Sequence, residues 1–486
     1  MNSELLRLCE AVREAGGRAM LVGGTVRDRL LGIESKDFDV EVYGLEPDRL
    51  REVLEQIGRV NAVGEHFAVY KLVFYRPARG RNNHSNEQSS IAEAPPQERF
   101  EIDVSLPRRE SKSGRGHRGF VIEGDPSMTI EEAARRRDFT VNAILYDPLT
   151  DETVDPYGGR EDLRNRVLRA VAADTFVEDS LRVLRAVQLA ARFEMTIDPR
   201  TVELCRTIDL SDLPRERIWG EIEKLLTLTA HPSIGLNAAL ELGVLDKLFP
   251  EIRALAGYQC DDAASDAFEH TKLALDEAAK EARDLSKPTR IAVMLVTLCH
   301  DLGKPLAIQM AGGSSTSSGN GQAAVEQTRS VLNTLGLYGV GGYDVRAQVL
   351  SLVREQLKPG EFYQAREKST DGDFRRLAQR VDIELLYRVA KSCAVARGPA
   401  SSTIAEDWFI ERARALGVEH GPPAPLLQGR HLIEAGYEPG PQMGRLLRDV
   451  YELQLDGKVT TLDDALAAAL AIDRPEPRYR KFSVDT

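Results

Sequence analysis

Asp37 and Asp39 carry the clearest chemical signal in this chain. They flank Phe38 in a segment, Asp37–Tyr43, whose alternation of polar and apolar residues predicts a β-strand. Period-2 geometry then points both carboxylates to one face, ~7 Å apart. That spacing suits one or two divalent ions carrying phosphate oxygens. A third carboxylate, Asp103, lies in a later predicted strand, Phe100–Leu106. Ile102 and Val104 are expected to face the core there, with Asp103 on the side of the pair. Glu101 is the alternative third carboxylate and is expected to face away. Just upstream runs Val22-Gly23-Gly24-Thr25-Val26-Arg27-Asp28, which reads as the end of a strand, a glycine turn and a short helix. Glycines let backbone N–H groups approach a phosphate closely, and a helix start favours negative charge. Arg27 is the candidate for a bidentate phosphate contact. Without the glycine turn, the carboxylates would read as solvated strand residues.

Other polar groups recur at helical spacing. Asp138 and Asn142 stand four apart in a predicted helix, Arg135–Ala143, with Arg137 adjacent. Asp179 and Arg182 stand three apart in another, Asp179–Phe193, and Arg185 continues their face. An acceptor and a donor fork at fixed spacing can pair with the edge of a nucleobase; the plainer alternative is an intrahelical salt bridge. Arg108, Arg109, Lys112, Arg115, His117 and Arg118 crowd one stretch among Gly114, Gly116 and Gly119. That reads as a mobile basic loop suited to RNA phosphates, or else as a solvated hairpin.

These groups must be positioned by a chain of 486 residues. The first 75 or so alternate helical and strand patterns, whereas the periodicity from Ile130 onward is almost entirely helical. The expected class is α+β, a small α/β head with a mixed sheet followed by an elongated all-helical body. The expected divisions are 1–145, 146–255, 256–400 and 401–486. Ala78–Glu98, rich in Asn, Ser, Gln and Pro, reads as a surface insertion, and Gly312–Gly321 as a flexible loop. Lys and Arg number 64 against 76 Asp and Glu, a formal charge of −12, which argues against a globally basic nucleic-acid coat protein. The five cysteines are scattered and lack CxxC spacing, so a disulfide framework is not expected. The apolar stretches are too short to span a bilayer, and the polar N-terminus shows no secretory signal. A cytoplasmic protein with no membrane association and no protein partner is the expectation.

The ordered set of motifs resembles the class II nucleotidyltransferases, that is, the CCA-adding tRNA nucleotidyltransferases and the bacterial poly(A) polymerases. The Gly23-Gly24 turn followed by Asp37-Phe38-Asp39 carries the resemblance first. Arg136–Ala143, Asp155-Pro156-Tyr157-Gly158-Gly159 with Asp162-Leu163, Glu178-Asp179-Ser180-Leu181-Arg182 and Pro214–Trp219 follow in the family's order. The resemblance covers residues 18 to about 230. It implies a nucleotidyltransferase head at 1–145, a base-reading neck at 146–255 and a C-terminal RNA-contact region at 401–486. It also implies template-independent addition of CCA to the tRNA 3′ end from CTP and ATP, with two Mg²⁺ ions and loss of pyrophosphate. Asp37 and Asp39 would hold the metals and Asp103 would be the third catalytic carboxylate. Gly23, Gly24, Arg27, Arg137, Asp138 and Asn142 would contact the nucleotide. Asp179 and Arg182, oriented by Arg185, would select the base. Arg108, Arg109, Lys112 and Arg115 would bind RNA. Poly(A) addition and partial CC or A addition share these motifs and stand as alternatives, as does an RNA-binding protein that keeps only the fold.

Farther on, Phe268-Glu269-His270-Thr271 and His300-Asp301 resemble the HD metal-dependent phosphohydrolases, with His270, His300 and Asp301 as possible ligands at 256–400. The chain departs from that pattern. Gln356 stands where related chains often carry histidine, Cys393 lies near the place of a late aspartate, and no histidine occurs between His300 and His420. A helical scaffold with vestigial ligands is therefore expected over an active hydrolase.

Overall fold

The computed structural model describes residues 3–35, 37–62, 69–77, 97–112, 120–259, 266–306, 317–398 and 401–473. They cluster into two compact units, one of Met1–Leu225 with Ile234–Leu248 and one of Leu226–Ser233 with Phe249–Thr486.

The first unit is built on a mixed seven-stranded sheet in the order β3-β4-β5-β2-β1-β8-β9. Its strands are β1 (Arg18–Val22), β2 (Asp39–Tyr43), β3 (Arg59–Ala62), β4 (Val69–Pro77), β5 (Gln97–Ser105), β8 (Leu145–Asp147) and β9 (Glu152–Val154). Neighbours pair antiparallel except β2 with β5, which run parallel. A separate hairpin joins β6 (Arg108–Lys112) to β7 (Phe120–Gly124).

Alternation along the strands assigns the faces. Ala19, Leu21, Val40, Val42, Ile102 and Val104 enter one core with α1 (Ser3–Glu14) and α3 (Pro47–Ile57). The helices supply Leu5, Leu8, Cys9 and Val12, and Leu50, Val53 and Leu54, at 3.6-residue spacing. Met20, Val22 and Tyr43 point the other way and pack with Ala133 and Ala134 of α4 (Ile130–Arg135). Asp39 and Glu41 share the parity of Tyr43, so the polar site lies on the α4 side of the sheet.

Several elements differ from the sequence reading. β2 begins at Asp39, so Asp37 precedes the strand. The expected helix 135–143 stops at Arg135, and a 3₁₀ turn covers Thr140–Asn142. Helix α2 (Gly24–Leu30) is preceded by Gly23 at its N-cap position, and the Thr25 hydroxyl donates to the Asp37 carbonyl. Two short helices, α5 (Gly159–Arg164) and α6 (Ala173–Phe176), lead to α7 (Leu181–Phe193), which starts after Asp179. Residues 78–96 of the expected insertion lie outside the described residues, and Gln97 and Glu98 belong to β5. Of the expected loop 312–321, residues 312–316 also lie outside them, while Ser317–Leu335 is helical.

The second unit is helical. Its helix Lys287–Cys299 buries every residue from Ile291 to Cys299, so it is enclosed on all sides by other helices. A separate cluster near the C-terminus gathers Leu432, Tyr437, Leu446, Val450 and Ala469. Among the described residues, no helix is long and apolar enough to cross a membrane.

The tightest backbone approach in the first unit is at Gly159, where a β-carbon would stand 2.1 Å from the Thr140 carbonyl oxygen and 2.8 Å from Ile144 Cγ1. Gly159→Ala should therefore lower stability by about 1–3 kcal/mol, as overpacking does. The check is a lower urea midpoint for unfolding.

Candidate active site

Four sequence-distant segments meet at the carboxylates. The parallel register places Asp39 directly opposite Asp103, and the β4–β5 register places Lys71 opposite Asp103. Ile102 and Val104 are fully buried, so Asp103 projects to the side of Asp39 as expected. Glu101 also lies on that side, against expectation: residues two apart on a strand share a face. Lys71 Nζ is 3.3 Å from Asp103 and 3.7 Å from Glu101. Asp37 is exposed, and its carbonyl accepts from Thr25 at the start of α2 and from Ser35 within its own loop. Gly23 has φ of 71°, in the left-handed region that favours glycine. A β-carbon on Gly23 would lie 3.2 Å from Arg137 Nη1 and 3.9 Å from Asp39 Oδ2. The glycine turn, the carboxylates and Arg137 thus form one constellation. Asp39 is exposed at the start of its strand, yet partial desolvation by the neighbouring protein raises its pKa above the ordinary aspartate value; Arg137 opposes this, and Asp103 and Asp37 add to it.

Glu41, two residues beyond Asp39, is wholly buried and organises the cationic side. It accepts from Arg136 at 2.7 Å and from the Tyr43 hydroxyl at 2.6 Å, with Arg137 Nη2 at 3.6 Å. Burial alone would raise its pKa, but Arg137 and Arg136 outweigh burial and hold it low.

Asp138 is also buried. Its carboxylate accepts from Arg185 at 2.7 Å, Asn142 at 2.9 Å and the Phe139 backbone at 2.8 Å. Burial opposes ionisation there; Arg185 and the Asn142 bond overcome it and keep the pKa low. Asn142 in turn accepts from Arg27 at 2.7 Å. Arg27, the expected phosphate contact, also has partners within the protein. Its remaining donors bind Asp28, and its guanidinium lies 4.1 Å from the Phe193 ring centroid. Gly24 stands beside it, with a β-carbon position 3.3 Å from Arg27 Nη2.

The expected Asp179–Arg182 pair on one helix face does not form. Asp179 lies ahead of α7 and is held by both terminal nitrogens of Arg217, at 3.1 and 3.0 Å. Arg182 is buried and donates to the carbonyls of Thr175, at 2.7 Å, and Arg136. The helix begins two residues too late for the assumed spacing to apply. Arg217 belongs to the Pro214–Trp219 motif, but nothing in its local spacing points to Asp179.

Arg108, Arg109 and Lys112 form β6 of the hairpin, and Arg115 lies outside the described residues. The basic stretch is thus an ordered strand up to Lys112. In the second unit the rings of His270 and His300 lie 5.3 Å apart, and Asp301 Oδ1 is 3.3 Å from His300 Nε2. The structure adds Cys393, whose sulfur lies within 4.8 Å of both histidines' ligand-type atoms. Glu41, Lys71 and Arg217 are the groups that sequence reasoning passed over. Only Glu41 had a local signal, continuing the alternation of Asp37 and Asp39.

Residues 19–169 match the Poly A polymerase head domain family, and residues 194–255 match the family described as the probable RNA and SrmB-binding site of polymerase A. A Multifunctional CCA protein of Xylella fastidiosa is 36% identical over 299 residues, covering 60% of this chain and 63% of that protein. One from Stenotrophomonas maltophilia is 38% identical over 296 residues, covering 59% and 64%. The chain thus spans just under two thirds of the length of these curated relatives. Among solved structures, the Bacillus stearothermophilus CCA-adding enzyme in complex with CTP aligns with TM-score 0.61 at 20% identity, covering 98% of each chain. The Thermotoga maritima CCA-adding enzyme complexed with tRNA aligns at 0.58 and 18%, covering 97% and 96%. These structural likenesses concern the fold. In sequence, the chain is similar to the Poly A polymerase head domain family and to the Multifunctional CCA proteins.

Proposed function

We propose that this chain is a template-independent tRNA nucleotidyltransferase that builds the 3′-terminal CCA from CTP and ATP, releasing pyrophosphate. The meeting of Gly23, Asp39 and Arg137, with Asp103 directly across the sheet from Asp39, carries this reading. The hard oxygen donors of Asp37, Asp39 and Asp103 suit Mg²⁺, which when bound would neutralise triphosphate charge and acidify the attacking hydroxyl. Arg137 adds a cation beside the Gly23 turn, where phosphate oxygens can approach the backbone. Asp103 would help lower the pKa of the attacking 3′-hydroxyl. Asp179, aimed by Arg217, is the base-reading acceptor; Arg182 and Arg185 hold the neighbouring backbone and Asp138. Recognition by hydrogen bonding discriminates well, because a wrong base leaves buried polar groups unpaired. The hairpin containing Arg108, Arg109 and Lys112 is assigned to RNA phosphate. The match to the polymerase head family favours poly(A) addition as the second reading.

Transcripts of tRNA ending before CCA, after C and after CC separate the two when incubated with CTP, ATP or both and resolved at single nucleotides. Extension that completes CCA and stops supports CCA addition; long ATP-only ladders on any RNA would replace it with poly(A) synthesis. Asp39→Ala should abolish incorporation while tRNA binding, read by gel shift, persists. Glu41→Gln removes the charge holding Arg136 and Arg137 and should lower kcat about 100-fold, as small misplacements of catalytic groups do, with tRNA affinity kept. Asp179→Ala should lose preference for CTP and ATP over UTP and GTP before chemistry fails; unchanged preference would remove the base-reading role from Asp179.

A further inference from the structure

Three helices of the second unit deliver one potential ligand each to the same point. His270 lies on Ala267–Glu281, His300 caps the C-terminus of Lys287–Cys299, and Cys393 lies on Ile383–Ala396. One ligand atom from each falls within 4.8 Å of the others. They line a cavity of about 190 Å³ that also includes Asp301, Lys304 and Gln356. His300 is more than nine-tenths buried, and its Nδ1 lies 2.7 Å from the Thr297 carbonyl. That contact assigns the ring hydrogen to Nδ1 and directs the Nε2 lone pair into the cavity, as a backbone carbonyl does for metal-binding histidines. Nε2 is buried without a hydrogen-bond partner among the described residues, with Asp301 Oδ1 at 3.3 Å. Gln356 donates to the His300 carbonyl at 2.7 Å and so helps hold the cap in place.

We propose that His270, His300 and Cys393 form a binding site for a thiophilic divalent transition ion, zinc foremost. This differs from the set of His270, His300 and Asp301 that the HD resemblance suggests, by putting a thiolate among the ligands. Two imidazoles and a thiolate are a borderline-soft set that selects zinc or cobalt over magnesium and manganese. Asp301 is restrained on its other oxygen by Lys304 at 2.7 Å, leaving Oδ1 or a water to complete a tetrahedron. Binding forms the metal–sulfur bond and releases the Cys393 thiol proton to solvent, along with any proton on His300 Nε2. No hydrolytic step is assigned to the site. A cysteine at the place of the late aspartate re-specifies the metal instead of merely destroying the site.

The test uses the purified full chain, stripped with chelator and reloaded with Zn²⁺ or Co²⁺. One zinc per chain is expected, and the cobalt form should show tetrahedral d–d bands together with thiolate-to-cobalt charge transfer. Cys393→Ser should lose that charge-transfer band and weaken zinc by more than the roughly 10–100-fold that losing an outer-shell partner costs. Cys393→Asp should restore binding with preference moved toward manganese. Should the serine variant fail to fold, X-ray absorption on the zinc-loaded wild-type chain decides. One sulfur with imidazole nitrogens supports the site, and an oxygen and nitrogen shell without sulfur overturns it. Failure to retain zinc, or equal zinc affinity in Cys393→Ser, overturns it too and leaves His300 and Asp301 as an ion pair closed by Lys304. None of these readouts depends on nucleotide incorporation, so the site and the proposed transferase activity stand or fall separately.

Discussion

A buried carboxylate must find its counter-charge inside the protein, and the first unit is arranged around two of them. Asp138 draws in Arg185 from α7 and Asn142 from the 3₁₀ turn, and Asn142 in turn anchors Arg27 of α2. Glu41 does the same from the sheet, holding Arg136 and Tyr43 directly. Arg136, Arg137 and Asp138 are consecutive, so the two hubs grip one short stretch of chain from opposite ends. Removing one partner from such a network costs about 3–5 kcal/mol because a charge is left buried and unpaired. The position of Arg137 beside Gly23 and Asp39 is set by these neighbours more than by its own contacts.

Much of this was legible before any coordinates. Alternation located β1, β2 and β5, and the buried Ile102 and Val104 put Asp103 on the face shared with Asp39. The family resemblance supplied which of many acidic and basic residues to watch. What local spacing could not supply was partnership across the chain. Arg27 looks like a free phosphate ligand until Asn142, 115 positions away, is placed beside it. Asp179 and Arg182 look like a pair until the helix is seen to start after Asp179, with Arg217 occupying both its oxygens. Glu101 has a simpler account, since residues two apart on a strand share a face and it therefore stands beside Asp103, within reach of Lys71.

The second unit offers a different lesson about apparent degeneration. Against the HD resemblance, Cys393 reads as a departure at the place of an aspartate. Judged by position, it is a third side chain that reaches the same point as His270 and His300.

Lys71 has a further consequence. Its ammonium lies against Asp103 and near Glu101, while Arg137 offsets Asp39. Like charges gathered on adjacent strands would otherwise repel, and a site of that kind often folds only around its ion. Here the protein carries its own counter-ions, so the sheet can assemble with the carboxylates already in register. Were the proposed Mg²⁺ to bind, loading would be an exchange of one cation for another on a finished scaffold, and metal scarcity would idle the proposed activity without unfolding the sheet.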